Sequence, residues 1–422
     1  MVIQFGRYTD AFKTKEKLDF WTESEKLFEQ KQYFESYNSF FNYLKDDSQD
    51  NVSLNTEDGA IKFRFSQGSK LIYGKIDEKK ITAECEVAAF EKPGLAFMRR
   101  LMEMNFTLYY TRFAVKDNIV YIKFDSSVID GSPRKLYYAL KELALRADKQ
   151  DDLMVKDFPL LKPVDLYITG ISSEEKEVMY KHYRKWIGDA LKRVSELKED
   201  SFSGAISYLL LDTIYKIDFL ISPQGNLQNE LEAVHYGYFA RDNKPLLEKN
   251  KTMQEQVQKL LDKPKETVMG DLYRVKATFG IANPAPHPAV LDAINNNVGN
   301  VKWYVDNKYE DIAVVIYEYI AGFCLFSYGM AKPDISLMRL LLNITTQDYF
   351  QEAGYPEKFY DTETKKFDEE LIKSKIDGII KAGIEMYPEL KFETKNLKFD
   401  TMLSFLRTYT SEILNLNFSA GG

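Results

Sequence analysis

The chain has 422 residues, of which 45% are hydrophobic and 29% are charged, and its formal net charge is −7. This length suggests two or three domains, and this composition excludes a disordered chain. An acidic chain without a basic stripe also repels a phosphate backbone, so nucleic acid is not expected as a main ligand.

Three features predict a cytoplasmic protein without a membrane span. Cys85 and Cys324 lie far apart in apolar patterns, which predicts two buried free thiols and favours a reducing compartment. The N-terminal sequence lacks the apolar core of a signal peptide. The most apolar stretch, residues 205–221, contains charged side chains such as Asp212 and Lys216, so it predicts a buried helix.

The first elements of the chain are a helix and three strands. Aromatic residues recur at intervals of seven over residues 16–46, which predicts one long amphipathic helix. Three runs of alternating polarity follow, separated by turn residues, and each predicts a strand. These strands are expected at 60–66, 70–76 and 81–90.

A helix, a hairpin and a second helix come next. Residues 95–105 predict a short helix. Residues 104–124, "MNFTLYYTRFAVKDNIVYIKF", then predict two strands on either side of a charged turn at 116–118. Pro133 opens the following helix, with Ser132 as its candidate N-cap.

The predicted order over residues 16–154 is therefore α-β-β-β-α-β-β-α. Short connections favour a mostly antiparallel sheet with helices on one side, which is an α+β layout. We assign residues 1–156 to this α+β N-terminal domain. Residues 157–171, with two prolines near their start, are assigned to a linker.

The remainder of the chain, residues 172–422, predicts an all-α helical domain of one or two subdomains. Ser172 and Glu175 have the spacing of a capping box at its first helix. Further helical patterns have no repeat of 30–50 residues, so a regular solenoid is not indicated. They occur at about 203–221, 227–240, 246–262, 265–280, 288–297, 307–329, 334–344, 368–386 and 399–415.

No motif for a known chemistry is present. The chain contains no phosphate-binding loop, no GxSxG and no HExxH. His182, His235 and His287 lie in three different segments, so a zinc site is not predicted. We expect His182 on the solvated side of its helix and acid pairs such as Asp151-Asp152 in water. No catalytic residue, metal or cofactor is therefore predicted.

The aromatic hairpin is the candidate binding surface. Large side chains alternate on both faces of its first strand, so burial of one face would leave the other set in water. These side chains face either a partner or helices of the same chain. The candidate partner-binding residues are Phe106, Tyr109, Tyr110, Phe113 and Tyr121.

This region resembles the YbjN-like branch of the type III secretion chaperone-like fold. The likeness is carried by residues 97–154, within a matching element order over residues 16–154. A Leu-x-x-x-Asn segment leads into the hairpin, an Asp ends its second strand, and an LxxLAxxAD pattern follows on the next helix. In this chain these are Leu101 to Asn105, Asp125, and Leu140 to Asp148. The helical part has no counterpart in that family.

The resemblance implies a bacterial, cytoplasmic, non-enzymatic protein that holds extended segments of client proteins by strand addition or in apolar grooves. We therefore expect a chaperone- or adaptor-like protein-binding module, acting as a homodimer or in a larger assembly. Two alternatives stay open. One is a structural subunit of a multi-protein assembly, and the other is an enzyme with a site near His235 or His287.

Overall fold

The computed structural model describes residues 3–164 and 166–419. Within them the chain has the two-part fold predicted from the sequence. An α+β region with an antiparallel sheet comes first, and a region of mostly helices follows.

Residues 15–44 form a helical hairpin, so the prediction of a single long helix over residues 16–46 is wrong. α1 spans Lys15–Glu29 and α2 spans Tyr33–Leu44, and Lys31 between them has a left-handed φ of 62°. Ser24 and Ser36 each donate a hydroxyl to the other's backbone carbonyl at 2.8 Å. Because these side chains are small, the two helices approach closely, and the aromatic residues divide between them.

The strands form one antiparallel sheet in the spatial order β1-β2-β3-β4-β6-β5, with β7 paired to the end of β4. Their bounds are β1 (Val52–Glu57), β2 (Ala60–Gln67), β3 (Lys70–Ile76), β4 (Lys80–Phe90), β5 (Arg112–Lys116), β6 (Ile119–Ser127) and β7 (Leu161–Pro163). β2, β3 and β4 are the three predicted strands. β1 escaped prediction because only Val52 among its residues is buried, so it shows no apolar alternation.

Helices cover one face of the sheet and enclose the first core. α3 (Leu95–Asn105) lies beside β5, and α4 (Pro133–Asp157) crosses β4 and β6. Ser132 caps α4 as predicted, since its hydroxyl accepts the backbone N–H of Lys135 at 3.3 Å. The fully buried members of this core include Tyr37, Phe40, Phe41, Phe65, Ile122, Leu136 and Leu140.

The helical region surrounds a second core. Its helices are α5 (Ser173–Ser195), α6 (Glu199–Lys216), α7 (Gly225–Phe239), α8 (Leu246–Leu261), α9 (Lys265–Gly270), α10 (His287–Asp306), α11 (Glu310–Ser327), α12 (Lys332–Thr345), α13 (Gln347–Glu352), α14 (Glu369–Gly383) and α15 (Met402–Leu414). Short strands pair as β8 (Asn283–Pro284) with β9 (Tyr328–Gly329), and β10 (Tyr360–Asp361) with β11 (Lys366–Phe367).

The mostly buried helix α11 packs against α6, α10, α12 and α15, and a π-helical turn at Ile217–Ile221 continues α6. The capping box of Ser172 and Glu175 is confirmed at the start of α5. Cys85 and Cys324 are buried and free, also as predicted. None of the helices in the described ranges has the length and hydropathy to cross a bilayer.

One predicted helix is mostly absent. The pattern at 265–280 is helical only to Gly270, and the chain then runs without a helix to Pro286. Phe279, which follows α9 in the sequence, does not pack in the helical region but is fully buried in the first core. The side chain of Gln67 accepts the N–H of Phe279 at 2.9 Å and donates to its carbonyl at 3.2 Å.

A second segment, which we call the N-terminal strap (residues 3–12), also joins the two regions. The backbone N–H of Gly6 donates to the carbonyl of Phe219 in the π-helical turn at 2.8 Å. Further along, the hydroxyl of Tyr137 on α4 donates to Asp10 at 2.9 Å. The strap therefore bonds to both cores.

Candidate functional site

α3 exposes apolar side chains on the face that points away from the sheet. Leu95, Met102, Phe106 and Tyr109 are 70%, 65%, 89% and 90% exposed. Intervals of seven and four residues place the first three on one side of the helix. The opposite face buries Phe97, Leu101 and Met104. The helix has more apolar residues than one face can bury, and we call the four exposed residues the α3 surface.

The five predicted partner-binding residues divide between surface and core. Phe106, Tyr109 and Tyr110 are exposed, but they lie in a loop because β5 begins only at Arg112. The prediction that Phe113 binds a partner is wrong. Its side chain is 6% exposed and belongs to the first core, so it is not accessible to a partner. Tyr121 is half-buried on the opposite face of the sheet, where its hydroxyl donates to Glu86 at 2.9 Å.

The loop before β5 is held by a single carboxylate, which sequence reasoning missed. Glu142 on α4 accepts the backbone N–H of Tyr109 and of Tyr110 at 2.8 Å, and that of Thr111 at 2.9 Å. It also accepts the Thr111 hydroxyl at 2.9 Å. More than thirty residues separate Glu142 from the loop, so no local pattern could have indicated this contact.

The edge of β5 is partly covered. The side-chain amide of Asn105 donates to the carbonyl of Phe113 at 3.2 Å and accepts its N–H at 2.7 Å. These are backbone groups that an added strand would use. A strand can therefore join β5 only by displacing Asn105.

The opposite edge of the sheet is open. β1 pairs only with β2, and its residues from Ser53 to Glu57 are all exposed. The two-residue turn at Asp58-Gly59 sets the pairing so that the backbone groups of Leu54 and Thr56 point away from β2. No other hydrogen bond to these groups occurs within the described ranges. β1 also lacks the lysines and prolines that usually protect an edge strand.

The charge around the α3 surface differs from that of the whole chain. Residues 91–117 contain five Lys or Arg and three Asp or Glu, whereas the chain has a net charge of −7. Arg99, Arg100 and Lys116 are exposed there, and Arg100 lies 3.5 Å from the exposed Glu103, a pair that a partner's carboxylate could replace. The apolar stripe therefore has a basic rim.

The histidines do not form a site. His182 is 1% exposed and packs against Trp186 and Tyr349, so its predicted solvation is wrong. It is buried because α13 covers that side of α5. His235 is buried beside Tyr215, whose hydroxyl lies 2.7 Å from Nδ1, and burial lowers the pKa of His235 to about 4.

The third histidine lies elsewhere, at the start of α10. His287 Nδ1 is 3.0 Å from the carboxylate of the fully buried Asp334 on α12. This contact joins two helices of the core. Among the described residues, no three His, Cys, Asp or Glu side chains are arranged to hold a metal ion.

Several charged groups are buried instead of solvated. On α4, Asp151 is 2% exposed and pairs with the fully buried Lys70 at 3.1 Å, so the expectation that it is solvated is wrong. Burial and neighbouring carboxylates raise the pKa of Asp148 to about 7 and that of Asp152 to about 8.

A second group of buried charges lies in the helical core. The ammonium of Lys216 lies 2.7 Å from Asp212 and 2.8 Å from Glu318. Burial raises the pKa of Asp212 to about 7 despite the nearby Lys216. Burial alone would lower the pKa of Lys216, but the two carboxylates outweigh it and raise the pKa.

A cavity of about 530 Å³ lies between the N-terminal strap, the π-helical turn, α12 and residues 273–281. The cavity lies at the junction of the α+β region and the helical region. Its walls include Phe5, Arg7, Phe219, Arg274, Lys332 and Arg339.

Comparison with protein-family models and with curated proteins found no match for this sequence. The likeness of residues 97–154 to secretion chaperones therefore stays a prediction, and functional inference depends on the geometry described above.

Proposed function

We propose that the protein is a non-enzymatic protein-binding module, adaptor- or chaperone-like, that holds a partner segment on the α3 surface. The observation that carries this proposal is the 65–90% exposure of four large apolar side chains, three on one side of α3 and the fourth, Tyr109, in the loop that follows it. Exposed patches of this kind mark binding sites in folded proteins. Two buried free thiols support a reducing compartment, the cytoplasm, for this activity.

The α3 surface can supply the required binding energy. Full burial of a Phe, Leu or Met side chain is worth about 1.5–3 kcal/mol, and aromatic residues dominate the energetics of interfaces. Phe106 and Tyr109 would therefore be the main anchors. Met102 would adapt its flexible side chain to the shape of the partner.

The loop is prepared for binding before the partner arrives. Because Glu142 accepts three consecutive backbone N–H groups, the main chain that carries Tyr109 is already ordered. Order in the free state lowers the entropy lost on association.

The basic rim indicates an acidic, amphipathic segment as the partner. Arg99, Arg100 and Lys116 would face its carboxylates, while its apolar side chains cover the stripe. Asn105 occupies the edge of β5, so we expect recognition through side chains at α3 and not strand addition at β5.

Site-specific photo-crosslinking tests this proposal. A photoreactive phenylalanine analogue replaces Tyr109 in the full chain, and Tyr236, which is 58% exposed on α7, serves as the matched position. We expect position 109 alone to cross-link one dominant acidic polypeptide in native cells. Charge-reversal variants of Arg99 and Arg100 should weaken that cross-link.

Three results would contradict the proposal. Equal cross-linking from both positions would show a non-specific surface. A product of two copies of this chain would make the α3 surface a homo-oligomer interface, as a structural subunit requires. Cross-linking to lipid, with binding to anionic vesicles, would make it a membrane contact.

A further inference from the structure

The charged residues around the cavity at the junction are not all paired. Arg7 of the strap contacts Asp218 and Glu232. Arg274 contacts Glu175 at 2.7 Å. These two arginines are therefore neutralised by carboxylates of the same chain.

The other two cations at the cavity have no such partner. Lys332 and Arg339 are seven residues apart on one face of α12, and Ile335 and Ser336 line the cavity between them. Neither has a carboxylate within ion-pair distance among the residues that the structure describes. The Arg339 guanidinium lies over the ring of Phe5, 4.5 Å from its centre.

The carboxylates that line the cavity are already engaged. Asp46 accepts the hydroxyl of Tyr8 at 3.2 Å, and Asp148 accepts the backbone N–H of Ser69 at 2.8 Å. Asp218 is held by the strap arginine. Among the residues that the structure describes, Lys332 and Arg339, both exposed on α12, are therefore the cations at the cavity that remain free to pair with an anion.

The remaining wall is mixed, with polar side chains such as Gln224 and Gln228 beside an apolar part, and the apolar part includes an unusual backbone. Phe219 and Ile221 come from the π-helical turn, and Met330 and Phe5 face the same space. π-Helical turns are rare and occur often at functional sites. A volume of about 530 Å³ is within the range of small-molecule sites, which are typically found at domain interfaces.

We propose that this cavity binds a small organic anion with an apolar body, either a carboxylate or a phosphate monoester. The anionic group would lie by Lys332 and Arg339, and the body would pack on Phe5 and Phe219. This site is separate from the α3 surface, so the inference does not depend on the proposed protein-binding function.

Dye displacement tests the inference on the full chain. The variant Phe106→Ser with Tyr109→Ser removes the apolar surface that would compete for dye. Into this background, 8-anilinonaphthalene-1-sulfonate is titrated and then displaced by decanoate, decyl phosphate or decanol. We expect saturable binding that both anions reverse and the uncharged decanol does not. The stronger of the two anions identifies the preferred head group.

Charge and volume variants locate the site. Lys332→Gln and Arg339→Gln should each weaken binding about tenfold, whereas Arg407→Gln, an exposed helical arginine far along the chain, should change nothing. Ser336→Trp should fill the cavity and abolish binding with an unchanged melting temperature. Absence of saturable binding, displacement by decanol, or unaltered binding in Arg339→Gln or Ser336→Trp would overturn the inference.

Discussion

In the helical core, Lys216 lies nearly buried between Asp212 and Glu318, whereas at the α3 surface Met102 and Phe106 face water. Each placement is costly when considered alone, because water favours the charges and the core favours the apolar groups. The buried charges form ion pairs within the chain. The exposed apolar side chains are not covered by this chain, and a binding partner would bury them.

The largest expected effect comes from breaking the buried ion cluster. Lys216→Met keeps the length of the side chain but leaves Asp212 and Glu318 unpaired. We expect a loss of about 3–5 kcal/mol in the free energy of unfolding, measured by urea denaturation followed by circular dichroism. Lys302→Met, an exposed lysine on α10, is the control and should cost less than about 0.5 kcal/mol. Equal costs would show that the cluster is not structural.

Two phenylalanines of the α+β region allow a buried and an exposed aromatic side chain to be compared directly. Phe113 is 6% exposed and Phe106 is 89% exposed, only seven residues apart. Phe113→Ala should destabilise the fold by about 3–5 kcal/mol, and Phe106→Ala by less than about 0.5 kcal/mol. A large cost for Phe106→Ala in the isolated chain would mean that this side chain supports the fold and is not free for a partner.

A smaller effect is expected at the carboxylate that orders the loop. Glu142→Ala leaves the N–H groups of Tyr109, Tyr110 and Thr111 without their acceptor. The loss should be about 1–3 kcal/mol, with faster amide hydrogen exchange confined to residues 108–112. Exchange rates unchanged in this loop would refute its proposed ordering by Glu142.

At a single pH near 4 the smallest expected effect is at Asp152, where the consequence of a substitution depends on pH. Asp152 has a folded-state pKa of about 8, above that of an unfolded aspartate near 4. The folded state therefore binds its proton more tightly, and the resulting stability is lost as pH rises from about 4 to 8. Asp148, Asp212 and Asp218 have raised pKa values and act in the same direction.

Asp152→Asn removes one of these titrations. We expect its melting temperature to exceed that of the natural chain by a few degrees at pH 8 and to match it at pH 4.5. Parallel pH profiles for the two proteins would contradict the assignment of a protonatable, desolvated carboxyl at this position.

Much of the fold could be predicted from local pattern. Alternation in β2 to β4 reflects burial of one sheet face, and the caps of α4 and α5 satisfy helix N-termini locally. Other features depend on distant contacts. The break at Lys31 follows from the packing of Ser24 on Ser36. Residues 271–280 have a helical spacing, but Phe279 contributes to the other core.

The candidate site was predicted only in part, because it too depends on both local pattern and distant contacts. An excess of apolar residues near the hairpin is visible in the sequence, and Phe106, Tyr109 and Tyr110 are indeed exposed. Their alternation suggested a strand, but Phe106 ends α3, and Glu142 holds Tyr109 and Tyr110 in a loop. No local signal distinguishes them from Phe113, because burial is decided by where β5 begins.

In the proposed function, the α3 surface binds a partner through its aromatic anchors, Phe106 and Tyr109. The most direct test is calorimetric titration of the full chain with the polypeptide that cross-links at position 109. Phe106→Ala should weaken that affinity by at least about thirtyfold, since anchors of this kind contribute about 2 kcal/mol or more. Tyr236→Ala should leave it within twofold. Unchanged affinity in Phe106→Ala, with the fold intact, would contradict the account.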